Sequence, residues 1–403
     1  MPWNFKSILR REKKAAAKPA AIRPEDSVKN PAALLNPVRM TVNLARDAVR
    51  KSTMLQADAY VPHGVQPLLA AAELRRVYGG QMLPDMIEIP SFRHRAVPVA
   101  WAPEVLTLLD SAFAELLRDA KAIITVGHTL GDQLHQYCSD VVVIENFRDW
   151  HAVPRSNRLR EQLNLDDKQK IAVSVGTVAS GCESVIEGLS RLPSNVHLVF
   201  VGTFAPASYE QCLREAVAAL GLEPRVHFLQ PIPYGDLSAF TASADFGVII
   251  RDPAILNNYV SLPNRVFDYV ASGLPLCAPQ IPDIAKIINT YRIGTVVTDL
   301  SPAGWSAAFS EMSDRSAEMR GSAEIANDAL TWAEKRQDIE ALFKDFRTVC
   351  FIGVNDLTRN NRTMRFAKTL AELGKSVKIA CRAPANIDRA ARLGAMVIPL
   401  SID

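Results

Sequence analysis

The chain has no uninterrupted apolar run near the ~18 residues that a membrane-spanning helix needs, and its start carries no apolar core of the signal-peptide kind. Cysteine is scarce and dispersed. Cys138, Cys182, Cys212, Cys277, Cys350 and Cys381 include no CxxC pair, which excludes a disulfide framework and fits the reduced, mostly buried thiols of a cytoplasmic protein. A surplus of one charge is also missing: 46 Lys and Arg stand against 43 Asp and Glu, a net charge of +3, with no basic stripe through the body of the chain. Nucleic acid is therefore not an expected partner. What remains is a chain of 403 residues, 48% hydrophobic and 22% charged, long enough for more than one globular domain.

Its most informative stretch is Ser261 to Pro275, SLPNRVFDYVASGLP, which follows the apolar run Phe246 to Ile250 and the polar segment Arg251 to Tyr259. Pro263 suits a helix start, Val266, Phe267 and Val270 space out an apolar face, and Gly273 before Leu274-Pro275 stops the helix. A strand that leads through a polar loop into a helix start presents free N–H groups and the positive end of a dipole. With Asn264 and Arg265 at that start, the expectation is an anion site for a phosphate or diphosphate.

LPNRVFDYVASGLPL resembles the donor-binding motif of family-4 glycosyltransferases of the GT-B fold, commonly LPNKLFEYMAAGLPV. The resemblance implies that Arg265, in place of Lys, holds the diphosphate of a nucleotide sugar, and that Asp268, in place of Glu, hydrogen-bonds the ribose. Asp is one methylene shorter than Glu, whereas Arg keeps a fork of donors for phosphate. The likeness extends to VHFLQPIPYGDLSAFTASADFGVII, with Gln230 where the family has Gly. One departure is larger. After the first glycine of this region, Gly176, the family places basic residues that reach the donor phosphates, and here the text is GTVASGCESV. Phosphate charge then falls to Arg265, Arg251 and backbone N–H groups. Gly176 and Gly202 each close a strand, either as turns near ligand or as turns alone.

The rest of the chain alternates strand-like and helix-like segments, the pattern of parallel, doubly wound α/β sheets. Residues 1–39 read as a basic, flexible tail, whose first 14 residues form either a membrane-surface helix for an anionic bilayer or a solvated end. Residues 40–155 form a first domain, with the boundary near Trp150 to Asn157, and 156–347 a second that ends in a long helix over Ser322 to Phe343. ADAYVPHGVQPLLAA and MLPDMIEIP are similar to two acceptor-side segments of the family. That match makes His63, Asp85 and Glu88 candidate catalytic residues, with Gly64 where the family has Asp. His63 lies just past a strand's carboxyl end, where it suits either sugar hydroxyls or a backbone-satisfied loop. Asp85 and Glu88, three apart, suit a base, an acceptor-orienting pair or surface acids.

Residues 348–403 open with VCFIGV and read as βαβαβ, and NRTMRFAKTLAELGKSVKIA resembles the start of a GT-B N-terminal domain. The front of the chain lacks those strands. Either this segment completes the first domain, as in a circular permutant, or a second enzyme begins here. Completion is favoured, because an isolated three-strand half leaves a bare edge and an uncovered apolar face. Gly64, Asn361 and Arg362 would then border the acceptor site or the cleft, with Asn361 or Arg362 contacting either acceptor or donor, or standing as solvated loop residues.

The resemblance thus implies two Rossmann-like domains facing a cleft and a glycosyltransferase that works with retention of configuration. Its partners would be a nucleotide-sugar donor and a glycan or lipid-linked acceptor. No cofactor is expected, and the sequence has no DxD motif and no clustered His/Cys site for a metal. A sugar- or nucleotide-binding scaffold without strong catalysis, and a nucleotide-sugar epimerase of the same architecture, are the alternatives.

Overall fold

The computed structural model of the chain describes residues 31–90, 103–149 and 155–401. The basic stretch 1–14 and the expected junction at Trp150 lie outside those residues. The chain divides into two compact units. Unit 1 runs to Asn146 and takes up Ala254–Asn257 and Lys335 onward; unit 2 comprises Phe147–Pro253 and Asn258–Glu334.

The first strands of unit 1 are β1 (Ala59–Pro62), β2 (Gln81–Met82), β3 (Asp85–Met86), β4 (Ile123–Thr125) and β5 (Val141–Val143). Unit 2 is built on β6 (Lys170–Val175), β7 (Val196–Val201), β8 (Val226–Leu229), β9 (Phe246–Val248), β10 (Leu276–Pro279) and β11 (Gly294–Val297). The chain then returns to unit 1 with β12 (Thr348–Gly353), β13 (Ser376–Arg382) and β14 (Ala395–Leu400). The sheets have the orders β14-β13-β12-β1-β2, β3-β4-β5 and β11-β10-β9-β6-β7-β8, and their pairings are parallel. Parallel strands are buried on both faces, so they read as continuous apolar runs. VHLVFV of β7 is buried at every position.

In unit 1, β1 pairs with β12 in the register Ala59↔Val349 through Pro62↔Ile352. The carboxylate of Asp58 fixes the start of that pairing by accepting from the Arg347 and Thr348 amides, both at 2.9 Å. One apolar cluster joins Leu44, Tyr60, Leu74 and Met82 to Cys350, Ile352, Ala380 and Ile398. Strands from residues 59–62 and 348–400 therefore share one sheet and one core.

Several boundaries differ from the sequence reading. A helix over Pro31–Arg50 spans the expected end of the tail, and its Leu44, Ala45 and Ala48 are buried. The expected helix over Ser322 to Phe343 is in fact three pieces: a helix over Pro302–Ala329, a 3-10 turn over Trp332–Lys335 and a helix over Arg336–Phe343. Its start is set by Pro302 in the first turn and by Ser301, whose hydroxyl accepts from the Gly304 amide. Its early half, outside the expected bounds, buries Trp305, Ala308, Phe309 and Met312 at helical spacing. The break comes where Thr331 bridges to Arg148 and the Trp332 amide donates to the Arg148 carbonyl at 2.9 Å. The helix Arg336–Phe343 then belongs to unit 1, where Phe343 meets Phe366 edge-on at 6.4 Å.

Both units place their loops in the arrangement where α/β sheets bind ligands. From β6 the chain of unit 2 runs outward through β7 and β8, then crosses back to β9, β10 and β11 on the other side. The crevice beyond the carboxyl ends of β6 and β9 is thus a topological switch point. In unit 1 the corresponding crevice lies beyond β1 and β12.

Candidate functional site

At the switch point of unit 2, Gly176 directly follows β6 and Arg251 lies three residues past β9. The helix Asn264–Ala271 leads from β9 toward β10, with Pro263 extended at its N-cap. Asn264 is exposed at its start, and the Arg265 guanidinium lies over Gly176, where a Cβ would come 3.0 Å from its Nη2. Gly176 has φ +101°, and a Cβ on Gly202 would overlap the Gly176 carbonyl. Of the two expected glycines, Gly176 therefore borders the cation, and Gly202 serves the close approach of two backbones.

The loop is braced from below by Tyr269. Its hydroxyl accepts from the Val175 amide at 2.9 Å and faces the carbonyls of Val173 at 3.0 Å and Val248 at 3.3 Å, tying the ends of β6 and β9 together. Gly247 admits the ring, since a Cβ there would strike it. Burial pushes the Tyr269 phenol up to about 12, so it remains a hydroxyl at neutral pH.

Arg251 donates to Asn258 Oδ1 at 3.0 Å and to Ser261 Oγ at 3.4 Å. Burial, with the nearby charge of Arg265 adding to it, pushes Arg251 down to about 10. Among the described residues no ion pair joins Arg251 or Arg265 to a carboxylate. Two guanidiniums that repel each other without a counter-charge are arranged to receive an anion. Asp268, the expected ribose contact, is buried and ion-paired with Arg148.

At the switch point of unit 1 the chain assembles His63, Asp85, Asn360 and Arg362. Arg362 and Asp85 are each 3% exposed, and the guanidinium donates to both carboxylate oxygens at 2.8–3.1 Å. Its remaining N–H groups reach the carbonyls of Ile144 at 2.6 Å and Thr125 at 3.4 Å, just past β5 and at the end of β4. Burial alone would raise the Asp85 carboxyl, but Arg362 and the His63 hydrogen bond outweigh it and hold Asp85 well below the usual carboxylate range.

Asp85 is thus an acceptor only, so His63 donates to it from Nδ1 at 2.8 Å. The other ring nitrogen, Nε2, accepts from Asn360 Nδ2 at 2.9 Å. Asn360 is fixed in that orientation because its Oδ1 caps the helix Asn361–Glu372, accepting from the amides of Arg362 and Thr363. Gly64, at φ +84°, donates its amide to the Asp85 carbonyl at 3.0 Å.

Of the residues singled out in the sequence, His63, Gly64, Asp85 and Arg362 converge in unit 1, and Gly176, Arg251, Asn264 and Arg265 in unit 2. Glu88, half-buried, is outside the hydrogen bonds that hold His63. Asn361 turns to Arg389, accepting from its Nη2 at 3.0 Å, and it is Asn360 that reaches His63. Asn before a helical pattern is an N-cap signal, which marked position 360. Arg148 carried no such signal. Among the described residues there is no group of three or more His, Cys, Asp and Glu placed to hold a metal, and no helix long and apolar enough to cross a membrane. A cavity of about 580 Å³, lined by Arg155, Gly273, Arg320, Glu324 and Asp328, lies at the other end of the helix Asn264–Ala271 and contains none of these residues.

Residues 155–325 match the family described as glycosyl transferases group 1. The D-inositol 3-phosphate glycosyltransferase of Corynebacterium glutamicum is 23% identical over 233 residues, 53% of this chain and 54% of that protein. The match therefore spans about half of that relative's length. Among solved structures, the sucrose-phosphate synthase of Thermosynechococcus elongatus superposes with a TM-score of 0.59 at 17% identity, over 72% of this chain and 73% of the other. Anabaena Alr3699/HepE, solved in complex with UDP-glucose, gives a TM-score of 0.62 at 17% identity over 78% of this chain and 84% of its own. The fold is α/β of the GT-B type.

Proposed function

We propose that the protein is a family-4 type glycosyltransferase that moves a sugar from a nucleotide-sugar donor to a glycan or lipid-linked acceptor, in surface polysaccharide or glycoconjugate synthesis. The observation that carries this reading is the pair Arg251 and Arg265 near the carboxyl ends of β6 and β9, the one held by Asn258 and the other lying over Gly176, with no carboxylate partner for either among the described residues. The group 1 match over 155–325 covers that same part of the chain. A neighbour of similar fold solved with UDP-glucose supports the donor class.

The chemistry follows from charge. Breaking the bond between the sugar and the nucleotide leaves a diphosphate, and Arg251, Arg265 and the amides at the start of the helix Asn264–Ala271 stabilise the charge that develops there. No metal is needed for that step. Unit 1 receives the acceptor. His63, locked by Asp85, offers Nε2 to a sugar hydroxyl in exchange for Asn360. The transfer retains configuration. The strand order, with β12–β14 beside β1, supports reading unit 1 as a circularly permuted acceptor domain. A lipid-linked acceptor and a cytoplasmic, membrane-peripheral enzyme fit the basic residues of the first 14 positions.

One feature favours a second reading, a nucleotide-binding scaffold: the loop GTVASGC lacks a basic residue. Incubation with radiolabelled UDP-, GDP- and ADP-sugars separates the readings. The enzyme releases labelled sugar to an acceptor or to water. Recovery of every donor unchanged sinks the enzyme, and recovery of an epimerised donor replaces it with an epimerase.

A further inference from the structure

A nucleoside diphosphate offers a protein two polar features besides its base: the diphosphate charge and the ribose diol. The charge has two guanidiniums waiting for it, Arg251 and Arg265, that no carboxylate pairs with among the described residues. A diol is gripped by an acceptor, best a carboxylate with free lone pairs. On the helix Asn264–Ala271 the carboxylate that shares a face with Arg265 is Asp268, three residues on.

That carboxylate is already committed. Asp268 and Arg148 form an ion pair with their side chains only 11% and 12% exposed. Arg148 is itself anchored within unit 2: its carbonyl accepts from the Trp332 amide at 2.9 Å, it bridges to Thr331, and the neighbouring Phe147 ring meets Phe267 edge-on at 5.0 Å. Arg148 already sits on Oδ1 of Asp268, so a ribose diol has to compete with a buried guanidinium for that carboxylate.

We propose, on the reading of unit 2 as a nucleotide-sugar site, that Arg148 withdraws Asp268 from the ligand and makes the site a reader of diphosphate that is indifferent to the ribose diol. Arg148 is then a specificity-determining residue. It acts through Asp268.

Calorimetric titration of the full chain tests this with UDP, GDP and ADP beside their 2′,3′-dideoxy counterparts. For whichever base binds, the ribo and dideoxy forms are expected to bind within about threefold of each other. In Arg148→Gln, where the Asp268 carboxylate is released, the ribo form gains a preference of about tenfold. If the wild type prefers the ribo form by about tenfold or more, and Asp268→Asn removes that preference, the inference is overturned while the donor site stands. The wild-type ratio decides even if the Arg148 variant fails to fold. Absence of binding by all six nucleotides overturns the donor reading of unit 2 and this inference with it.

Discussion

Arg265→Ala abolishes most of the stabilisation that a nucleoside diphosphate gives the wild-type protein. A ligand at about 100 Kd stabilises the folded state by roughly 2.7 kcal/mol. Charge-assisted hydrogen bonds to phosphate contribute about 1.5–3 kcal/mol, so their loss weakens binding about 10- to 150-fold. At the same ligand concentration a ~100-fold weaker complex retains only about 0.4 kcal/mol of that stabilisation. The unliganded variant changes little, because among the described residues Arg265 has no ion pair to lose and removing it relieves the repulsion on Arg251. Thermal-shift titration of UDP, GDP and ADP reads the difference. Equal shifts in wild type and variant would remove Arg265 from the site.

The second large effect concerns stability. Arg362→Met leaves the Asp85 carboxylate buried without its guanidinium and deprives the Ile144 and Thr125 carbonyls of a donor. Breaking a buried pair by removing one partner costs about 3–5 kcal/mol. Denaturant unfolding of the full chain should show that loss in a transition of unit 1. The double variant Asp85→Asn, Arg362→Met recovers part of it, since the orphaned charge is gone. The pH dependence has a fixed sign. Asp85 is held as a carboxylate in the folded state, so its contribution is present above its unfolded value of about 3.9 and is lost as pH falls through the lower folded value. A cost under about 1 kcal/mol for Arg362→Met would mean that the pair does not hold this edge of the sheet.

Much of this arrangement was legible in the sequence wherever the signal is local. The helix Asn264–Ala271 is written into Pro263, the apolar spacing and Gly273, all within one stretch. The buried parallel strands are written as continuous apolar runs. Partnerships across the chain were not legible. Asn360 meets His63 across 297 positions, and Arg362 meets Asp85 across 277. Nothing in either local pattern names the other, and the choice of Asn360 over Asn361 depends on which of two adjacent residues caps the helix. Arg148 is the sharpest case. The motif around Asp268 implies a ribose contact, and only the fold reveals that a guanidinium 120 positions earlier has taken that carboxylate.

The central claim is that unit 2 binds a nucleoside diphosphate between Arg251, Arg265 and the loop after Gly176. A crystal structure of the protein grown with saturating nucleoside diphosphate tests it most directly. The account predicts diphosphate density within hydrogen-bond distance of both guanidiniums, with the Arg148–Asp268 pair unbroken. Density elsewhere, as in the cavity lined by Arg155 and Arg320, or none at any nucleotide, would contradict it.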